Sequence, residues 1–298
     1  MRHTPRHMDT ELASQPECWS RAADSAPAYR DTLPAPGERI AVVGCGTSLF
    51  MAQAAAALRE SHGLGESDAF AASAFPLGRR YDRVIALTRS GRTTEVLSLL
   101  GRLHGTTPTT AITADPRAPV VRVADRVIVL DYADERSVVQ TRFPTTAFTL
   151  LRAHFGLHTD TAVEDARDAL ADPLPLGLAG RAQFTFLGHD WTVGLAHEAA
   201  LTLRGAALTW SEAYAAMEYR HGPIAITSPG TATWMIGDPP PGLADEVHAT
   251  GAQWVAGGLD PLAELVRVQR LAALVAAAKR LNADRPRHLT RSVVLAVS

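Results

Sequence analysis

Arg39-Ile40-Ala41-Val42-Val43-Gly44-Cys45-Gly46-Thr47-Ser48 decides the fold class. Its first half is apolar and largely β-branched, as a strand buried on both faces must be. Its second half is a glycine turn, and an alanine-rich stretch with helical spacing follows. A strand feeding a helix through such a turn is the repeating piece of a parallel α/β sheet. Working outward, the order recurs. Arg83 to Leu87 reads as a second strand, followed by Thr88-Arg89-Ser90-Gly91-Arg92-Thr93-Thr94-Glu95 and another helix; Thr109 to Thr113 and Arg126 to Leu130 supply two more strands. Asp172-Pro173-Leu174-Pro175-Leu176-Gly177-Leu178-Ala179-Gly180 is linker-like in its proline and glycine content. Beyond it, Phe184 to Asp190 reads as strand then turn, Thr192 to Leu203 as helix, Ala232 to Gly237 as strand and Leu262 to Leu281 as a long amphipathic helix. The predicted architecture is α/β, with two similar domains, each a parallel sheet flanked by helices. The N-terminal domain is expected over residues 1–172, the linker over 173–180 and the C-terminal domain over 181–298.

The 298 residues suffice for two such domains. A formal net charge of -2 gives no electrostatic basis for a nucleic-acid partner. No apolar run approaches a bilayer span, and the opening residues MRHTPRHMDTE lack a signal-peptide core. Cys18 and Cys45 are too few for a disulfide framework, so the expected compartment is the cytoplasm. Lys279 is the only lysine; it falls in an arginine-rich amphipathic stretch, where a solvated helix face is the ordinary reading, and Schiff-base chemistry has no other amine to use. Heavy use of arginine and alanine points to a GC-rich bacterial source. Neither GxGxxG nor GxxxxGK[ST] occurs, and no HExxH motif occurs, so neither a nucleotide cofactor nor a metal is expected.

The two strand-to-helix junctions carry the chemistry. Backbone N–H groups at a helix N-terminus and small hydroxyls beside them make an anion site, at the strand ends where open sheets bind ligands. The bland alternative is that Ser48 and Thr93 cap their helices. Two hydroxyl-rich loops on successive strands favour a phosphate site.

These loops also resemble a known family. Gly44-Cys45-Gly46-Thr47-Ser48 resembles the GCGTS loop of sugar-isomerase (SIS) domains, and Arg89 to Glu95 resembles their SxSGxTxE loop. Glu11-Leu12-Ala13-Ser14-Gln15-Pro16 is similar to the opening of the tandem-SIS branch, and Glu135 to Arg142 to its segment after the fourth strand. Glu212-Ala213-Tyr214 through Glu218-Tyr219-Arg220-His221-Gly222-Pro223 resembles EAYxxxExxHGP of the isomerase domain of glucosamine-6-phosphate synthase, and Asp284 to Val293 resembles that domain's tail. The resemblance spans the chain and implies two tandem SIS domains of flavodoxin-like, doubly wound form. It implies phosphate binding by Gly46, Thr47, Ser48, Thr88, Ser90 and Thr93, and sugar contacts by Val138, Gln140 and Arg291. It also gives His221 the ring-opening role, with that loop supplied by the second subunit of a homodimer.

The departures bear on the reaction. The family helix ExALKxxE carries a shuttle lysine and carboxylate, but here Glu198-Ala199-Ala200-Leu201-Thr202-Leu203-Arg204-Gly205 places Thr202 and Gly205 at those positions. Glu198 is the preferred C2 base and Glu218 the reserve; their bland readings are a helix-packing carboxylate and a solvated turn charge. The sequence contains no glutaminase region, so a whole synthase is not expected. The expected function is therefore ring opening of an amino-sugar 6-phosphate, such as glucosamine 6-phosphate or its N-acetyl form, followed by elimination of the C3 group. Isomerisation or deamination of glucosamine 6-phosphate is the alternative, and a non-catalytic phosphosugar sensor a second one.

Overall fold

A computed structural model describes residues 6–296; Met1 to Pro5, part of the stretch read above for a leader, lie outside the described residues. Two compact units share the chain. One gathers Glu17–Glu135, Arg142–Thr159 and the chain from Thr290; the other gathers the N-terminal residues through Pro16, Arg136–Thr141 and Asp160–Leu289.

Helices α1 (His7–Ala13) and α2 (Gln15–Ser25) open the chain. The first unit then contains β1 (Ile40–Gly44), α3 (Thr47–Ser61), β2 (Ser67–Ala71), β3 (Arg83–Leu87), α4 (Thr94–Leu103), β4 (Thr109–Thr113), β5 (Arg126–Val129) and α5 (Arg142–His154). All neighbouring strands pair in parallel, in the order β2-β1-β3-β4-β5. Strand β1 is buried along its whole length because helices cover both faces of such a sheet. The order reverses between β1 and β3, and this topological switch point is where doubly wound sheets present a ligand crevice.

The second unit contains α6 (Asp160–Ala171), β6 (Gln183–Gly188), α7 (Thr192–Ala207), β7 (Trp210–Ala215), β8 (Thr231–Ile236), α8 (Leu243–Ala249), β9 (Gln253–Ala256) and α9 (Pro261–Ala278). Its four parallel strands run β7-β6-β8-β9, the same switch-point order with one strand fewer. Alanines at 196, 199, 200, 206 and 207 are buried on α7, and their small side chains allow close packing. Helix α9 starts cleanly: Asp260 accepts a hydrogen bond from the Leu262 N–H at 2.9 Å, and Pro261 fills the first helical position.

The same device joins strand to helix in both units. A Cβ on Gly44 would lie 2.5 Å from the Ser48 carbonyl carbon, and one on Gly188 would lie 2.4 Å from the Thr192 carbonyl oxygen. Only glycine lets each helix start so close above its strand.

The units are not divided by a single cut at residues 173–180. Helix α6, expected in the N-terminal domain, packs with α9 in the second unit: Asp165 accepts from the Asp260 N–H at 2.5 Å, and Arg270 donates to the Ala169 carbonyl. The N-terminal residues and Arg136–Thr141 also count with that unit. Lys279 does not simply face solvent. Its ammonium donates to the carbonyl of Ala207 at 3.0 Å and to the Thr209 hydroxyl at 2.7 Å, closing the C-terminus of α7, where a cation is favoured.

Candidate functional site

In the first unit the loops after β1 and β3 stand on adjacent strands at the switch point. Thr47, Ser48, Thr88 and Ser90 are all at most 7% exposed, and Thr93 is half-buried. Gly46 begins α3 with φ 57°, and Ser48 falls inside the first helical turn rather than at its cap. Thr93 does occupy the cap position of α4, yet its side chain makes no cap hydrogen bond. The simple capping reading of these two hydroxyls therefore fails. Gly91 has φ 58°, and a Cβ there would come within 2.6 Å of Ala118 and Val120, so the second loop lies flat on its neighbours. Its carbonyl accepts from Val120 N–H at 3.1 Å, and the Arg89 carbonyl accepts from Ala114 N–H and the Thr113 hydroxyl. These bonds fix the backbone, while the Ser90 hydroxyl accepts from the Arg92 N–H at 3.3 Å and the Thr94 hydroxyl from the Leu295 N–H at 2.9 Å. Burial pushes the Cys45 thiol up, and the Glu95 carboxylate adds to the effect; the two loops feel one another.

Arg89 escaped the sequence reading. It is buried beside Ser90 and pairs with buried Glu135 at 3.8 Å. Glu135 in turn accepts the first amides of α5, from Arg142 N–H at 2.8 Å and Phe143 N–H at 3.3 Å. Arg89 also donates to the Arg291 carbonyl at 3.1 Å, while the Arg291 guanidinium reaches the Glu135 carbonyl and the Asp134 carboxylate. Arg291, expected at the sugar, is thus engaged with its own unit. The tail continues across the start of α4, where the Val293 carbonyl accepts from Thr94 N–H at 3.1 Å.

In the second unit Glu198 is 1% exposed on α7 and accepts from the Thr202 hydroxyl at 2.9 Å, so the residue at the family's lysine position holds the carboxylate instead. At Gly205 the nearest atoms to an added Cβ are Leu289 Cδ1 at 3.6 Å and Val139 Cγ2 at 3.7 Å. The place of the family's second carboxylate is walled by hydrocarbon. Burial pushes the neighbouring His197 imidazole down, and the Arg204 guanidinium adds to that.

Val138 and Gln140 belong to a segment tied at several points. Glu11, 4% exposed, accepts from Arg136 N–H at 2.5 Å and from the Ser137 N–H and hydroxyl. The Asp284 carbonyl accepts from Val138 N–H at 3.0 Å, and its carboxylate receives the His7 and Met8 amides at the start of α1. Gln140 Oε1 is buried with no hydrogen-bond partner, an acceptor that a sugar hydroxyl could satisfy. The only clue to the role of Glu11 was its place in the family-like opening motif.

His221 and Glu218 are exposed at the two ends of a short helical turn, Glu218–His221, and Gly222 with φ 147° swings the chain out of it. Between them Arg220 is held by Glu246 at 2.8 Å, and buried Tyr219 anchors the turn through Thr227 and Thr233. The turn is fixed from below, and it presents His221 outward. Among the described residues no cluster of three or more metal-ligating side chains occurs, and no helix is long and apolar enough to cross a membrane.

The two parallel switch-point sheets have the fold of SIS-domain phosphosugar isomerases, and the resemblance to the phosphosugar isomerase and deaminase family holds. No family model matches the chain. Among curated proteins it is 26% identical over 87% of its length to a glutamine–fructose-6-phosphate aminotransferase (isomerizing) of Methanothermobacter thermautotrophicus. It is 25% identical over 89% of its length to the Escherichia coli enzyme of the same name. The chain spans about half the length of these relatives, 52% and 53%. Among solved structures, glucosamine-6-phosphate deaminase of Thermotoga maritima matches with TM-score 0.80 and 23% identity, covering 97% of this chain and all of that one. Tagatose-6-phosphate ketose/aldose isomerase of E. coli matches with TM-score 0.79 and 17% identity, covering 98% and 96%.

Proposed function

We propose that the protein is an enzyme of amino-sugar 6-phosphates, with glucosamine 6-phosphate or its N-acetyl form as substrate, and that it works by elimination. The phosphate is assigned to Ser48, Thr88, Ser90 and Thr93 with the Gly46-Thr47 backbone, as a charge-assisted set of donors. His221 moves the proton that opens the ring, as an imidazole able to donate or accept one can. Glu198 then takes the C2 proton, the C–H electron pair forms the C2–C3 double bond, and the C3 oxygen leaves as water once protonated. Glu218 is the reserve base.

The observation that favours elimination is the face of α7. Thr202 stands at the lysine position and hydrogen-bonds Glu198, and Leu289 and Val139 wall the place of the second carboxylate at Gly205. Isomerisation returns the proton to C1 and needs a shuttle, whereas elimination needs one base. Isomerisation or deamination is the second reading, because the curated relatives are named isomerizing enzymes. Incubation with either hexosamine 6-phosphate, followed by mass spectrometry, separates the readings. Loss of water supports elimination and loss of ammonia deamination. A ketose of unchanged mass indicates isomerisation, and an unaltered substrate would reject all three.

A further inference from the structure

Threonines inside helices ordinarily turn their hydroxyls back onto the chain, donating to a backbone carbonyl three or four residues earlier. Helix α5 does this three times: Thr145 and Thr146 donate to the Arg142 carbonyl at 3.1 and 2.6 Å, and Thr149 to the Thr145 carbonyl at 2.9 Å. Thr202 in α7 does something else. Its hydroxyl donates at 2.9 Å to Oε1 of Glu198, the side chain one turn earlier on the same face.

Both side chains are deep in the fold, each residue being 1% exposed, and Ala199, Leu203 and Ala206 of the same helix are buried with them. A carboxylate in such surroundings is turned by the donors that reach it rather than by bulk water. Threonine suits that task. Its β-branch restricts χ1, so the helix backbone sets the direction of the hydroxyl. As a neutral donor it orients the carboxylate without placing a further cation beside it. Arg204 and Glu198 feel each other's charge, while the Arg204 guanidinium donates to the Ser211 carbonyl.

We infer that Thr202 is a positioning residue, which fixes the Glu198 carboxylate in the orientation from which it takes the C2 proton. The role rests on the reaction proposed above, in which Glu198 is the base.

The full chain is assayed with C2-deuterated glucosamine 6-phosphate or its N-acetyl form, following release of label to solvent across a range of substrate concentrations. Thr202→Val removes the hydroxyl at nearly constant shape. It is expected to lower kcat about ten-fold and to leave KM within about two-fold, the loss of one hydrogen bond to a charged group. Thr202→Ser keeps a hydroxyl and is expected to recover most of the rate. In a Glu198→Gln background, Thr202→Val is expected to change the rate little, because the two side chains act as one unit. Should Thr202→Val not fold in a thermal melt, Thr202→Ala is read by the same criteria. Unchanged kcat in the folded variant, equal losses in Thr202→Val and Thr202→Ser, or losses that add to those of Glu198→Gln each overturn the role. A wild-type chain that releases no C2 label overturns the proposed reaction itself, and the role with it.

Discussion

Replacing Ser90 and Thr93 together by alanine tests the phosphate assignment with little cost to the fold. Ser90 Oγ accepts only from the Arg92 N–H, at 3.3 Å, and Arg92 is exposed, so water replaces that bond at under about 1 kcal/mol. The Thr93 side chain caps nothing at α4, so its loss costs less still. Each hydroxyl bonded to a phosphate contributes about 1.5–3 kcal/mol to binding. Two independent contacts would sum to about 3–6 kcal/mol, or about two to four powers of ten in Kd. They are neighbours on one loop, so the lower half of that range is expected. Calorimetry with glucosamine 6-phosphate reads the affinity, and a thermal melt reads the fold. Thr192→Ala is the control: its hydroxyl serves the corresponding turn of the second sheet, where it bonds His189 and Ile236, so it should lower stability and spare affinity. Unchanged affinity in the double variant, with an unchanged melt, refutes the reasoning.

His154 and His197 are both pushed below their ordinary 6.5, by burial first, so their rings should titrate below that value by NMR. As pH falls through about 6.5 the unfolded chain gains protons that the folded chain resists, and stability should decline between pH 7.5 and 5.5 in urea melts; titration at or above 6.5 contradicts this. Gly205 lies within a helix with room for a Cβ, so Gly205→Ala should raise stability by about 0.5–1 kcal/mol in the same melts, and a loss would show crowding that the geometry lacks. If the outward His221 completes the site of a second copy in a homodimer, mixing inactive His221→Ala with the inactive Ser90→Ala/Thr93→Ala chain should restore activity. A monomer with full activity excludes that arrangement.

The central strands were legible because both their faces are buried. β1, β3, β4, β6 and β8 read directly from apolar or β-branched runs, and each lies within a residue or two of its expected place. The edge strands β2, β7 and β9 were not read. Ser67–Ala71 carries Asp68, and Trp210–Ala215 is half-buried with Trp210 exposed, so neither shows a continuous apolar run. The sorting of α6 and Arg136–Thr141 into the second unit was invisible because it depends on long-range packing and on carboxylates such as Glu11 and Asp165. At the site, the hydroxyl loops were readable from composition and spacing. That neither Ser48 nor Thr93 caps its helix, and that Leu289 and Val139 are the side chains an added Cβ at Gly205 would touch, required coordinates.

The proposed elimination is tested most directly by the fate of the C2 proton. Glucosamine 6-phosphate or its N-acetyl form, deuterated at C2, is turned over by the protein and by Glu198→Gln, which keeps the side-chain shape and removes its basicity. The account predicts a product lighter by water, absorbing in the ultraviolet, its label lost to solvent, and a rate about two or more powers of ten lower in the variant. Deuterium recovered at C1 of a ketose would contradict it, revealing a working shuttle and an isomerase.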